Sequence, residues 1–232
     1  MAQRDLAMEE VRRVVLSGQV PIGERTSERV LTEKFLGHTG LGRTPVREAL
    51  AILTAQGVIE QHPQVGFVVR HVDAAEARKV LELQRATEGL IVSDAAQTRI
   101  DVSRLDELAD QITTAALNGS SYVCMDTART FHMMLSRLAG YETAAGAIGG
   151  FRDRYALFLA ATTPLDRREM AAMASRYRDL SVSIAADESG SKAEERLSEL
   201  ISTEFEFVSA RKDGEAMAVS HGDPALAVSP LL

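Results

Sequence analysis

Apolar spacing changes period only once along this chain, between residues 58 and 71, and that single change bounds the folds open to it. Before it, apolar residues recur at helical spacing, as in Val46, Ala49, Leu50 and Leu53. Within it, Val58-Ile59 and Phe67-Val68-Val69 flank a His62-Pro63-Gln64-Val65-Gly66 turn, the pattern of a short β-hairpin. After it, strand signals disappear. One hairpin set among helices cannot build a large sheet, so the chain is expected to be mainly α.

Ahead of the hairpin, a first helix is expected from about residue 5 to 17, with Leu6, Val11, Val14 and Val15 on its apolar side. Gly18 and the Pro21-Ile22-Gly23 turn end it. A second helix starts near Thr26-Ser27 and carries Val30, Leu31 and Phe35; a loose, glycine-rich turn follows from Gly37 to Gly42. The third helix is expected to open at Thr44-Pro45, a capping residue followed by proline at the first helical position. Gly57 closes it. Helix, helix, turn, helix, hairpin is the plan of a winged helix-turn-helix.

Beyond residue 73 five or six helices can be drawn, over 74–97, 101–118, 121–139, 142–161, 164–186 and 191–211. Gly119-Ser120, Gly140, Thr163-Pro164 and Gly190 separate them. They make an all-α antiparallel bundle. The expected division is therefore a winged helix-turn-helix over residues 1–72, a helical effector-binding and dimerisation domain over 73–212, and a mobile tail over 213–232.

The net charge of −7 is unevenly shared. Residues 1–72 hold 9 Lys+Arg against 8 Asp+Glu, a balance of +1, while residues 73–232 hold 17 against 25, a balance of −8. A local basic face is enough to meet phosphates, so the acidity of the second part does not argue against a polyanionic partner for the first. With one cysteine, Cys124, no intrachain disulfide can form, and a reducing cytoplasm is the expected setting. The charged amino terminus carries no secretory core, and no run of about 18 apolar residues offers a membrane span.

Three pieces together carry a resemblance. Gly23-Glu24-Arg25 followed by Ser27-Glu28-Arg29, then Arg43-Thr44-Pro45-Val46-Arg47-Glu48-Ala49-Leu50, then Gly57 and Gly66, resemble the DNA-binding domain of the GntR superfamily. The second part resembles the FCD effector domain of its FadR subgroup through Arg85-Ala86-Thr87-Glu88 and Thr130-Phe131-His132. The resemblance implies a homodimeric transcription regulator, expected to be a repressor, that binds inverted-repeat operator DNA. Its DNA contacts would come from Arg29, Arg43, Thr44, Pro45, Arg47 and Gly66. The residues fit that role independently: Arg43 sits just before the third helix and Arg47 in its first turn, off its apolar stripe, and arginine is the usual bidentate partner of guanine. The alternative is that both are solvated surface charges. Glu48 would repel phosphates, so an internal salt bridge is expected for it. The turn over residues 36–42 is several residues longer than the family's, and Gly42 stands where Ser or Thr is usual.

FCD domains commonly hold a divalent metal through an Asp and three His, which then grips a carboxylate effector. Here His132 has Ala128 four residues before it, and Asp126, six back, lies about 120° around the helix. Tyr177 falls near the second His position and Glu204 near the third. No metal or other cofactor is therefore expected. The effector, a small anion or polar metabolite such as a carboxylate, would be held by Arg85, His132, Tyr177 and Glu204, with Arg85 as the anion anchor and a protonated His132 assisting. Each has a plainer reading: Arg85 pairs with Glu88, His132 is a hydrogen-bonded core histidine, and Tyr177 is core. Two rivals stay open. One is a degenerate pocket that senses nothing; the other is a helical-bundle enzyme acting on a small acid. No nucleophile–base pair or phosphate-cradling loop favours the latter, so a non-enzyme is expected.

Overall fold

The computed structural model describes residues 3–62, 66–187 and 189–211. Helix α1 (Gln3–Leu16) buries Ala7, Val11, Val14 and Val15 and packs on α3 (Arg43–Ala55) through the latter's Val46, Ala49, Leu50 and Leu53. Between them, the short α2 (Glu28–Val30) is capped by Ser27, whose hydroxyl accepts from the Val30 N–H at 3.2 Å. It runs on as a π-helical turn over Leu31–Phe35, closed by the Leu36 N–H on the Leu31 carbonyl.

The glycine-rich turn is not loose. Gly37–Thr39 forms a 3₁₀ turn, the Thr39 hydroxyl donates to the Leu36 carbonyl at 2.7 Å and accepts from the Leu41 N–H, and Gly40 takes a left-handed φ of 68°. Leu36 and Leu41 are buried on either side of it, which anchors the extra residues to the core. Helix α3 also differs from expectation at its start. Its cap is Gly42, without a side-chain bond, and Arg43 is its first residue, so Pro45 is the third rather than the first. Proline is tolerated there because the first turn's N–H groups have no intrahelical acceptor anyway.

Strands β2 (Ile59–His62) and β3 (Gly66–Val69) pair antiparallel, with Ile59 opposite Val69 and His62 opposite Gly66; residues 63–65 of the expected turn lie outside the described residues. A third strand, β1 (Arg25–Thr26), joins the far edge of β3, giving the order β1-β3-β2. Gly66 has φ 120°, and a Cβ there would stand 2.3 Å from the Thr26 carbonyl oxygen. Only glycine lets β1 approach so closely.

Among the described residues six helices follow: α4 (Ala74–Gln97), α5 (Ser103–Asn118), α6 (Ser121–Leu138), α7 (Glu142–Ala161), α8 (Arg167–Ala186) and α9 (Ser191–Ala210). Caps set their starts. Asp73 accepts from the Glu76 N–H, Ser120 from the Val123 N–H, and Asp166 with Glu169 forms a reciprocal capping box. That box explains why α8 begins after Pro164 and not at it. Helix α4 packs against α6, α7, α8 and α9, and α5 lies against α6 and α8. The fold is thus mainly α, a winged helix-turn-helix followed by a helical bundle. Buried apolar residues run without a break from one into the other. The expected tail, residues 213–232, lies outside the described residues.

Candidate nucleic-acid interface and buried polar centre

Burying Val46, Ala49, Leu50 and Leu53 turns Arg43, Thr44, Arg47 and Glu48 to the surface. An open depression of about 650 Å³ lies between α2, the start of α3 and the wing. Arg29, Arg43, Arg47 and Gly66 line it, together with Glu28, Gln61 and His62. Thr44 and Pro45 stand beside it on the first turn of α3 rather than in its lining. Arg29 donates to Glu33 at 2.9 Å, and the Arg47 Nε donates to both carboxylate oxygens of Glu28, at 2.9 and 2.6 Å. Arg43 makes no ion pair with the described residues. Glu48 does take an internal partner, Arg4, at 3.7 Å on the exposed surface. Three guanidinium groups around an open hollow suit a polyanion, and the flanking Gln61 and His62 add hydrogen-bonding groups from the wing. Glu28, Gln61 and His62 stand on this face without being among the expected contacts.

A second polar group is sealed inside the bundle. The His132 Nε2 lies 2.7 Å from the Tyr177 hydroxyl, and its Nδ1 lies 2.9 Å from Glu88 Oε1, close enough for an ion pair but not aligned as a hydrogen bond. Gln84 donates to the other Glu88 oxygen at 2.9 Å. Beside them the Arg152 Nη1 donates to both oxygens of Glu204, at 2.7 and 2.8 Å, with neither side chain exposed. Burial is the strongest influence on Arg152 and opposes its charge, but the Glu204 carboxylate and its hydrogen bonds, with smaller help from neighbouring groups, together hold the guanidinium above its ordinary pKa. Burial also pushes Tyr177 and Tyr155 well above the usual phenol range, so both are neutral hydroxyls. Arg152 Nε and Nη2, the Tyr155 hydroxyl and Gln84 Oε1 are buried without a hydrogen-bond partner.

His132, Tyr177 and Glu204 are therefore brought into one interior, but Arg85 is not. Gln84 and Glu88 face inward on α4; Arg85, one residue on from Gln84, is turned about 100° away. It is exposed, with its guanidinium 5.9 Å from the Phe205 ring centre. Nor does Arg85 pair with Glu88, which turns to His132 and Gln84. The interior cation is Arg152. Its signal in the sequence was the charged run Arg152-Asp153-Arg154 set between the apolar residues Ile148, Phe151, Tyr155 and Phe158.

These residues do not fit a divalent metal. Both His132 nitrogens face protein groups, both Glu204 oxygens are bound by Arg152, and position 128 is alanine. Among the described residues no three His, Cys, Asp or Glu side chains converge as a ligand set.

A third cluster joins the two parts of the chain. Arg12 on α1 donates to Asp153 on α7 at 3.2 Å and also to Asp126 on α6, while Arg129 Nε lies 2.9 Å from Asp153. Burial acts against the charge on Arg12, but Asp153 and Asp126 overcome it and raise its pKa. Next along α7, the Arg154 Nε donates to the Gln56 carbonyl at the end of α3, at 2.9 Å.

The architecture and this surface define a winged helix-turn-helix protein with a helical second domain. Residues 4–69 match the family described as "Bacterial regulatory proteins, gntR family". The likeness to that family is confined to this N-terminal segment. The chain is 31% identical over 158 residues to an uncharacterized HTH-type transcriptional regulator in an unstable DNA locus of Streptomyces ambofaciens, covering 66% of this chain and 64% of that one. It is 22% identical over 115 residues to the HTH-type regulator YdhC of Bacillus subtilis, covering 48% and 49%. The match thus spans a little under two thirds of the first relative and about half of the second. Among solved structures, E. coli McbR/YncC superposes with a TM-score of 0.74 at 18% identity, covering 90% of this chain and 98% of that one. A putative GntR regulator from Rhodococcus sp. RHA1 gives 0.72 at 17%, covering 90% and 99%. At these identities the likeness is one of fold. No described helix is long and apolar enough to cross a membrane.

Proposed function

We propose that the chain is a transcription regulator that binds operator DNA through the face built by α2, α3 and the wing. The observation that carries this is the open hollow holding Arg29, Arg43 and Arg47 within the segment matched to the gntR family. It works in the cytoplasm as a homodimer on an inverted repeat, because one recognition helix reads too few bases for useful specificity. Selection of bound duplexes from a random library tests it. Recovery of a palindromic motif, lost when Arg43 and Arg47 are both replaced by Ala, is the expected result. Binding without sequence preference would overturn it.

The finer reading places the chain in the FadR subgroup and makes the FCD-like bundle a sensor. The unpartnered Arg152 Nε and Nη2 and the Tyr155 hydroxyl favour a small anion or polar metabolite bound beside Glu88, His132 and Tyr177. Release of operator DNA on binding would make the chain a repressor. The opposing reading, a regulator whose pocket senses nothing, draws on Glu204 already neutralising Arg152. Thermal melts with a panel of small carboxylates separate the two, since a ligand of the folded state raises the melting temperature. Turnover of any of those acids would instead favour an enzyme.

A further inference from the structure

We propose that Glu28 is a positioning residue for base readout by Arg47. The proposal rests on the DNA-binding reading above and deepens it. Glu28 stands on α2 and Arg47 on α3, so their contact bridges the two helices of the helix-turn-helix across the lengthened turn. Ser27 fixes the start of α2, and the Thr32 hydroxyl donates to the Glu28 carbonyl at 2.8 Å, so the carboxylate is presented from an anchored backbone. It engages Arg47 only at Nε. Neither Nη atom has a hydrogen-bond partner among the described residues. Those two Nη groups are the pair that a guanidinium uses on guanine O6 and N7. Holding Nε therefore fixes the plane of the fork without occupying its reading edge, and an arginine held this way loses less rotamer entropy on binding. Glu28 is 30% exposed at its side chain and Arg47 64%, so the carboxylate sits beneath and the guanidinium outermost.

The charge makes the role separable from a general electrostatic one. A carboxylate lining a phosphate-facing hollow repels DNA of any sequence, and removing it should tighten all binding if charge were its whole effect. A positioning residue gives the opposite sign on the specific site alone. The test measures dissociation constants for the selected operator and for a scrambled duplex, with full-length wild type, Glu28→Ala, Glu28→Gln, Arg47→Ala and the double variant Glu28→Ala/Arg47→Ala. Expected is a fall in operator-over-scrambled discrimination of roughly 5- to 100-fold for Glu28→Ala, the range one bidentate base contact supplies. Scrambled-duplex binding should be unchanged or tighter. The isosteric Glu28→Gln, which keeps an acceptor, should fall between, and the double variant should discriminate no worse than Arg47→Ala alone. Melting temperatures show that each variant is folded. If Glu28→Ala tightens operator and scrambled DNA by the same factor, the positioning role is wrong while operator binding stands. If Arg47→Ala leaves the operator affinity unchanged, the role is wrong because Arg47 reads nothing. Loss of sequence preference in the wild type would instead sink the underlying DNA reading.

Discussion

Arg12 and Asp153 meet at 3.2 Å although 141 residues separate them, and both are shut away from solvent. Their contact is the charged weld between the first helix of the winged domain and the middle of the bundle. Stranding one charge of a buried pair typically costs about 3–5 kcal/mol, but Asp153 keeps Arg129 at 2.9 Å. Arg12→Ala is therefore expected to lower unfolding stability by less than that, about 1–3 kcal/mol, in a chemical denaturation series. A loss within about 0.5 kcal/mol, the size of an ordinary surface change, would mean that the two parts do not depend on this contact.

Arg43 and Arg47 should behave differently despite sharing one helix face. Replacing either by Ala is expected to cost about 1–3 kcal/mol of operator binding if it contacts a guanine. Arg43 has no internal ion pair to give up, whereas Arg47 leaves Glu28 behind unneutralised. Arg47→Ala should thus weaken scrambled-duplex binding more than Arg43→Ala does. Fluorescence anisotropy on both duplexes measures this, and equal losses would count against it.

Asp187 gives the fold an acid-sensitive joint. Partial desolvation pushes its carboxyl upward, but hydrogen bonds from the Ser189 hydroxyl and N–H and from the Lys192 and Ala193 N–H groups prevail and hold it below the ordinary 3.8. With the folded value depressed, the unfolded chain binds protons more readily. The stabilisation is present above the unfolded pKa and is lost as pH falls through the folded one. Melting temperature should drop below about pH 4, and Asp187→Asn should shallow that drop. An unchanged acid limb in the variant would rule Asp187 out as a contributor.

Cys124 should be silent in the native protein. Burial pushes its thiol up to about 12, against a smaller downward pull from Arg152, and the side chain is fully enclosed. A neutral, inaccessible thiol does not attack disulfide reagents. One equivalent should react with Ellman's reagent in denaturant and almost none before unfolding. Rapid native labelling would show that the bundle opens around α6.

The helical periods, glycine stops and hairpin were readable because each rests on local spacing, and the bundle helices fall within a few residues of their expected limits. Strand β1 was not readable, since two residues, Arg25 and Thr26, carry no periodicity and pair only because β3 lies nearby. The turn after Phe35 looked loose because its glycines are local, whereas Leu36 and Leu41, which fix it, act through the core. At the buried centre, motif position brought out His132, Tyr177 and Glu204. It could not reveal that Arg85 points outward, because choosing between Gln84 and Arg85 takes the rotation of α4 against its neighbours. Arg152 and Glu28 matter through partners 52 and 19 residues away, a kind of relation that spacing along a single chain does not express.

The three consecutive residues Arg152, Asp153 and Arg154 lie about 100° apart around α7. One grips Glu204 in the bundle interior, one grips Arg12 on the first helix, and one grips the end of α3 at Gln56. At this level α7 is a crankshaft with three throws on a single rigid rod. A rotation of α7 as one rod would move all three contacts together, so a rearrangement around Arg152 that turns the helix would also reach the end of α3.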